Sequence, residues 1–159
     1  MSAIGRWLTA TVAVSAMLFS SGCIPEGLAF REDHRLTIEA PGDRSEITVP
    51  FEVAWTLDAP RVEERHFAVL VDRFPPRPGT SIESLLPAEL REPARCDQAC
   101  RTAALASRDV FVTDSSDLVI SRLPVRHGVS DEQQRRHEVS VIVLDDRLRR
   151  VGESVAWIE

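Results

Sequence analysis

The chain has 159 residues, of which 43% are hydrophobic and 28% are charged, and its formal net charge at pH 7 is −6. This length predicts about one globular domain, large enough to bury a core of its own. The 25 acidic side chains outnumber the 19 basic ones, all of which are Arg. Because a net acidic surface repels polyanions, this balance argues against nucleic acid as the main partner.

The first 22 residues have the layout of a secretory signal peptide. Arg6 is the only charged residue before an apolar run from Trp7 to Phe19, and the small residues Ser20, Ser21 and Gly22 follow it. The run has about 13 residues, whereas a helix needs about 20 to span a bilayer. We therefore expect residues 1–22 to be removed on export rather than kept as an anchor.

The small residues that end in Gly22, directly before Cys23, resemble the lipobox of bacterial lipoproteins. In that family the cysteine becomes the first residue of the mature chain, and its thiol takes up a diacylglycerol. The resemblance implies that Cys23 is lipidated, that residues 23–33 are a tether, and that the domain is attached to a membrane of the bacterial cell envelope, on its extracytoplasmic side. The alternative is a secreted protein in which Cys23 is an incidental thiol.

The mature chain contains short segments in which apolar and polar residues alternate, separated by turn residues. Such alternation is typical of strands that have one buried face. The predicted strands are His34–Ala40, Val49–Leu57, His66–Asp72, Val110–Thr113, Leu118–Leu123, Arg136–Leu144 and Val151–Ile158. Seven short strands predict an all-β domain of two sheets over residues 34–159.

The order of apolar landmarks on these strands resembles the fibronectin type III and immunoglobulin-like family. The landmarks are Val53 and Trp55 on the second strand, Phe67 and Val69 on the third, Leu123 and Pro124 before the sixth, and His137, Val139 and Val141 on the sixth. The resemblance implies an immunoglobulin-like β-sandwich of about seven strands. It also implies that the third and sixth strands are neighbours in one sheet.

Residues 75–106, between the third and fourth strands, form an insertion that a minimal sandwich does not need. The insertion follows Phe74 and begins with a proline-rich stretch that excludes a central strand. Short helices are predicted at Ser81–Arg91, interrupted by Pro87, and at Asp97–Ser107, with Asp97 as the N-cap. Cys96 and Cys100 are four residues apart, and export to an oxidising compartment predicts a local disulfide between them.

The alternation places four apolar residues on the outer face of the third and sixth strands, and they are Ala68, Leu70, Ile142 and Leu144. An exposed apolar patch is either covered or used for binding. One interpretation is that Leu85, Leu86, Leu90 and Leu105 of the insertion cover it. The other is that the four residues form an interface with a partner protein in the envelope.

We find no pattern that nominates a catalytic residue. The sequence has no G-x-S-x-G elbow, no H-E-x-x-H pair and no Gly-rich phosphate loop. His137 is expected to be a satisfied interior or corner residue rather than a ligand. The run Arg147–Arg150 is expected to solvate a strand end and to pair with neighbouring acidic residues. Calcium at Asp114, Asp117, Asp145 and Asp146 is the weaker alternative to ordinary turn aspartates. We therefore expect neither a metal nor a cofactor.

These observations predict a lipid-anchored envelope protein that acts as a non-catalytic protein-binding or scaffolding module. One alternative is an envelope enzyme with a site under the 75–106 insertion. A second alternative is a passive structural lipoprotein.

Overall fold

A computed structural model describes residues 31–32, 35–58, 66–125, 127–152 and 154–159. The predicted signal peptide, Cys23 and most of the predicted tether lie outside these described residues.

The described part of the chain consists mostly of β-strands with a few short helices. The strands are β1 Arg31–Glu32, β2 Leu36–Ala40, β3 Phe51–Leu57, β4 His66–Val71, β5 Val110–Thr113, β6 Asp117–Ile120, β7 Val139–Leu144 and β8 Ser154–Ile158. The helices are a 3₁₀ helix at Ile82–Leu85, α1 Ala88–Arg91, α2 Gln98–Ala106 and α3 Asp131–Gln134. Each of the seven predicted strands has a counterpart, whereas β1 falls inside the predicted tether and α3 was not predicted.

The strands form two sheets. One is a three-stranded antiparallel sheet in the order β2-β3-β6, and the other has the order β1-β8-β7-β4-β5. In the larger sheet β4, β5, β7 and β8 are antiparallel, and β1 runs parallel to β8 at the edge. The predicted neighbours β4 and β7 pair directly, with Ala68 opposite Ile142 and Leu70 opposite Ser140.

The inner faces of the two sheets share one buried core. Trp55 on β3 packs edge-on against Phe67 on β4, with ring centroids 5.4 Å apart, and Val53, Val69 and Val141 are fully buried beside them. These residues alternate with outward-facing ones because successive side chains of a strand point to opposite faces. Each such side chain stabilises the fold by about 1.5–3 kcal/mol on burial, so this cluster holds the two sheets together.

The strand directions divide the domain into two ends. At the upper end lie the β7–β8 turn 145–152, the β5–β6 turn 114–116, and β1, whose Arg31 pairs with Ser154. At the lower end lie the β2–β3 loop 41–50, residues 72–74 after β4, the β6–β7 segments 121–125 and 127–138, and Glu159. Hydrogen bonds between the β2–β3 loop and Glu159 close this lower end.

Local sequence signals explain where the helices begin. The Asp97 carboxylate accepts a hydrogen bond of 2.8 Å from the Cys100 amide, so Asp97 is the N-cap of α2, as predicted. Ser130 and Gln133 form a reciprocal capping box at α3. Pro87 separates the 3₁₀ helix from α1, which confirms the predicted interruption.

Candidate functional site

The four residues of the predicted interface lie under the insertion. Ala68 and Leu70 have no exposed surface, and Ile142 and Leu144 are 1% exposed. They form a second buried cluster with Ile82, Leu86 and Leu105, and Leu85 and Leu90 pack against its rim. The hypothesis that these four side chains form a protein interface is therefore corrected: the insertion covers the apolar face of β4 and β7, because leaving it in water would cost free energy.

Backbone pairing fastens the insertion to the β7–β8 turn. The Gly79 amide donates to the Arg150 carbonyl over 2.9 Å, and the Ile82 amide donates to the Leu148 carbonyl over 2.8 Å. The Arg150 guanidinium donates to the Pro76 carbonyl over 2.8 Å. Arg150 is only 2% exposed, so the prediction that the run Arg147–Arg150 is solvated is wrong at this position, where the side chain fixes the path of the proline-rich stretch.

An ion pair joins two helical elements inside the insertion. The Arg101 guanidinium on α2 lies 2.7 Å from the Glu83 carboxylate on the 3₁₀ helix, and both side chains are less than one third exposed. Arg101 also donates to the carbonyl of Cys96 over 2.7 Å. One guanidinium therefore links α2, the 3₁₀ helix and the residue that precedes the Asp97 cap.

The sulfur atoms of Cys96 and Cys100 lie at bonding distance, and their Cα atoms are 5.3 Å apart. The predicted pairing of these two cysteines is therefore present. Cys96 is buried, whereas Cys100 is exposed in the first turn of α2.

The two histidines of the sheet occupy opposite ends and form separate pairs. His137 Nδ1 lies 2.6 Å from Asp72 Oδ2 at the lower end, and both side chains are largely buried. His66 Nδ1 contacts the exposed Asp114 carboxylate at the upper end. The sequence placed His137 in an interior or corner position, but it gave no signal for its partner, because Asp72 is distant along the chain.

Asp72 combines two structural tasks at the lower end of β4. Its backbone has a positive φ of 53°, a conformation that Asp tolerates better than most side chains. Its other carboxylate oxygen accepts a hydrogen bond of 2.9 Å from the Glu138 amide. The carboxylate therefore holds the start of β7 through both a ring nitrogen and a backbone amide, and it orients the imidazole of His137.

Two of the four turn aspartates that are calcium candidates have other partners: Asp114 contacts His66, and Asp145 binds its own backbone. One oxygen of Asp145 accepts from the amides of Arg147 and Arg149. Within residues 31–32, 35–58, 66–125, 127–152 and 154–159, no group of three or more His, Cys, Asp or Glu residues is arranged to hold a metal ion.

The exposed large apolar side chains of the described residues are concentrated at the lower end. Four of the seven lie in its loops, and they are Val49, Phe74, Val125 and Val129. Two more, Val119 on β6 and Trp157 on β8, precede the last residue of a strand that ends there. The seventh, Val151, lies in the β7–β8 turn at the upper end. The sequence pattern did not reveal these exposed residues because most of them lie in loops, where no alternation shows which side chains point to solvent.

None of the helices that the structure describes is both long and apolar enough to cross a membrane. Comparisons with known protein families, with curated proteins and with solved structures found no match.

Proposed function

We propose that this chain is a lipid-anchored, immunoglobulin-like module of the bacterial cell envelope, which binds another protein through its lower end without catalysing a reaction. The anchor in this proposal is Cys23. Its support is the order of the N-terminal signals: one basic residue, an apolar run, and small residues directly before the cysteine.

The strand order supports the immunoglobulin-like part of the proposal. When β2 to β8 are taken in chain order, the first, second and fifth form one sheet, and the third, fourth, sixth and seventh form the other. In constant-type immunoglobulin domains, strands A, B, D and E form one sheet and strands C, F and G form the other. The first, second and fifth strands share one sheet in both arrangements, and the third, sixth and seventh share the other. Here β5 pairs with β4, as the additional strand of variable-type domains pairs with C.

The position of β1 gives the anchored domain an orientation. Arg31 is the eighth residue after Cys23, and eight residues span at most about 30 Å when fully extended. Arg31 pairs with Ser154 at the upper end. A lipid on Cys23 therefore keeps the upper end near the bilayer, and the lower end points away from it.

One observation carries the binding function: the exposed apolar side chains among the described residues are concentrated at the end that this orientation directs away from the membrane. Trp157 is 50% exposed, Val125 is 70% exposed and Phe74 is 73% exposed. Aromatic residues are enriched in protein interfaces because they bury a large apolar area. A partner that covers the lower end would reach it without touching the bilayer.

Site-specific photo-crosslinking in the native envelope tests the proposal. A photoreactive amino acid replaces Val125, Val129 or Trp157 at the lower end, and Arg147 or Val151 serves as the matched upper-end position. We expect one protein adduct at the lower positions and none of that adduct at the upper ones. The captured protein is then purified, and its affinity for the wild-type chain is compared with its affinity for Trp157→Glu.

The anchor has a separate test, so a failure of the anchor and a failure of the interface can be distinguished. Cys23→Ala should move the chain from the membrane fraction to the soluble extracytoplasmic fraction and abolish incorporation of labelled palmitate. Palmitate that persists in this variant would refute the anchor. Equal crosslinking at both ends, or no adduct at all, would refute the lower-end interface, and a chain without any partner would support a passive structural role.

A further inference from the structure

The Cys96–Cys100 disulfide joins two sulfur-bearing residues with very different access to solvent. Cys96 is 2% exposed, whereas Cys100 belongs to the exposed residues of α2. Thiol–disulfide exchange proceeds by direct attack of a thiolate on one sulfur, and access decides which sulfur is attacked. The structure therefore offers Cys100, and not Cys96, to an incoming thiol.

The bond closes a loop with a sequence separation of only four residues. In the chain-entropy description, the stabilisation from a disulfide grows with the length of the loop it closes, so this bond adds little to the stability of the whole domain. Exposed disulfides of this kind are more readily reduced than buried ones that close long loops. The core between the two sheets does not depend on the bond, because neither Cys96 nor Cys100 belongs to the buried cluster that contains Trp55 and Phe67.

A positive charge lies beside the buried cysteine. Arg101 donates to the Cys96 carbonyl over 2.7 Å, and the same guanidinium pairs with Glu83. The guanidinium of the ion pair that joins α2 to the 3₁₀ helix is therefore also hydrogen-bonded to the backbone of Cys96.

We propose that Cys96–Cys100 is a thiol-exchange site, attacked at Cys100 by an extracytoplasmic dithiol. The attacking thiolate forms a mixed disulfide with Cys100 Sγ, the Sγ–Sγ bond breaks, and its electron pair stays on Cys96 Sγ, which takes a proton from water. The second thiol of the reductant then attacks the reductant's own sulfur in the mixed disulfide, the bond to Cys100 Sγ breaks, and Cys100 Sγ keeps the electron pair and takes a proton while the oxidised dithiol leaves. Cys96 and Cys100 end as two thiols, so two electrons pass from the dithiol to the protein.

Reduction releases the link between Cys96 and the first turn of α2. The Arg101–Glu83 ion pair still joins α2 to the 3₁₀ helix, but residues 96–100 are less constrained. The hydrogen bonds of the amides in this turn therefore open more often. The sheets stay closed because Leu105 and Ile82 keep their apolar contacts with β4 and β7. This proposal rests on the export of the chain in the proposed function, but not on the lipid anchor or on the lower-end interface.

The experiment uses the full chain with Cys23→Ser, so that only Cys96 and Cys100 can react. Dithiothreitol is the probe, and the reduced fraction is followed by alkylation and mass spectrometry. We expect the rate of reduction to rise in proportion to the dithiothreitol concentration without a plateau, as attack on the native state requires. A plateau at the rate of global unfolding would overturn the proposal.

A core variant distinguishes reduction of the native state from reduction after global unfolding. Val141→Ala removes buried volume between the sheets and raises the unfolded population by at least about tenfold, since such deletions cost more than about 1.4 kcal/mol. Reduction from the native state should stay within about twofold of the parent rate. An increase that matches the rise in unfolded population would overturn the proposal.

Two single-cysteine variants test which sulfur is attacked. Both variants are treated with the thiol reagent dithiobis-nitrobenzoate. The Cys100 thiol that remains in Cys96→Ser should react at least about tenfold faster than the Cys96 thiol that remains in Cys100→Ser, because only Cys100 is accessible. Equal rates would contradict the assignment of Cys100. If either variant fails to fold, glutathione adducts on the parent protein, trapped by acid and mapped by mass spectrometry, decide the same question.

Hydrogen exchange measures the consequence. On reduction, the Cys100 and Arg101 amides, which donate to Asp97, should lose protection, while those of β4 and β7 keep theirs. Unchanged protection throughout α2 would contradict the loosening of the turn.

Discussion

The Nδ1 atom of His137 lies 2.6 Å from a carboxylate oxygen of Asp72, at the point where β4 ends and β7 begins. The two residues are 65 positions apart in the sequence, and their side chains are 12% and 8% exposed. A largely buried carboxylate needs hydrogen-bond donors, because burying it without them costs several kcal/mol. The imidazole and the Glu138 amide supply those donors, so the pair closes the lower end of the larger sheet.

Replacing Asp72 with Ala should destabilise the protein by about 2–3 kcal/mol, because the Glu138 amide and the imidazole lose their acceptor while Ala also strains the positive φ. Asp72→Asn keeps one acceptor and tolerates the same backbone conformation, so its loss should be smaller. Urea unfolding measures both. Asp114→Asn is the matched control, since Asp114 is 77% exposed in its contact with His66. A change as large for Asp114→Asn as for Asp72→Ala would contradict the structural role of Asp72.

Leu144→Arg should lower the free energy of unfolding by at least about 3 kcal/mol, because a charge would be placed in a buried apolar cluster without a partner. Leu144 is 1% exposed beneath the insertion. Val119→Arg places the same charge on a side chain that is 61% exposed, and it should change stability by less than about 0.5 kcal/mol. Thermal unfolding of the two variants gives the comparison. A Leu144→Arg protein as stable as the wild type would show that the insertion does not seal this face.

Arg101→Ala should cost about 1–3 kcal/mol, because the Glu83 carboxylate and the Cys96 carbonyl both lose a donor in a site that is only partly solvated. Arg95→Ala is its control. Arg95 pairs with Glu92, but the two side chains are 64% and 60% exposed, and such surface pairs contribute less than about 1 kcal/mol. Chemical unfolding distinguishes the two, and equal losses would mean that Arg101 is an ordinary surface charge.

Asp97→Ala should destabilise the protein by about 1 kcal/mol through the loss of the α2 N-cap. Asp97→Asn keeps an acceptor for the Cys100 amide and should cost only a few tenths of a kcal/mol, because Asn is as good an N-cap as Asp. Urea denaturation followed by circular dichroism checks both variants. Equal losses for Ala and Asn would point to the charge of Asp97 rather than its hydrogen bond.

Several features could be predicted from the sequence because they depend on near neighbours. The alternation of Val53 and Trp55, and of Phe67, Val69 and Val71, predicted strands whose inner rows meet in the core. The N-cap at Asp97 and the pairing of Cys96 with Cys100 involve residues within four positions of each other. The facing of Ala68, Leu70, Ile142 and Leu144 also followed from strand periodicity.

Other features were beyond the sequence because they join distant segments. Periodicity showed that β4 and β7 have an apolar outer face, but not whether the insertion or a partner covers it. The answer came from the path of the proline-rich stretch, which Arg150 holds through the Pro76 carbonyl. The two residues of β1 are too few for a periodic signal. Their pairing with β8 places the upper end of the domain next to the tether.

The sequence by itself therefore determined β2 to β8, the two helical segments of the insertion and the local disulfide, because neighbouring residues set the hydrogen bonding within a segment and the side to which each side chain points. Only the tertiary structure decided the Asp72–His137 pair, the burial of Arg150 and the apolar lower end. Each of these depends on where remote segments come to lie, and that is settled by the joint packing of both sheets and the insertion.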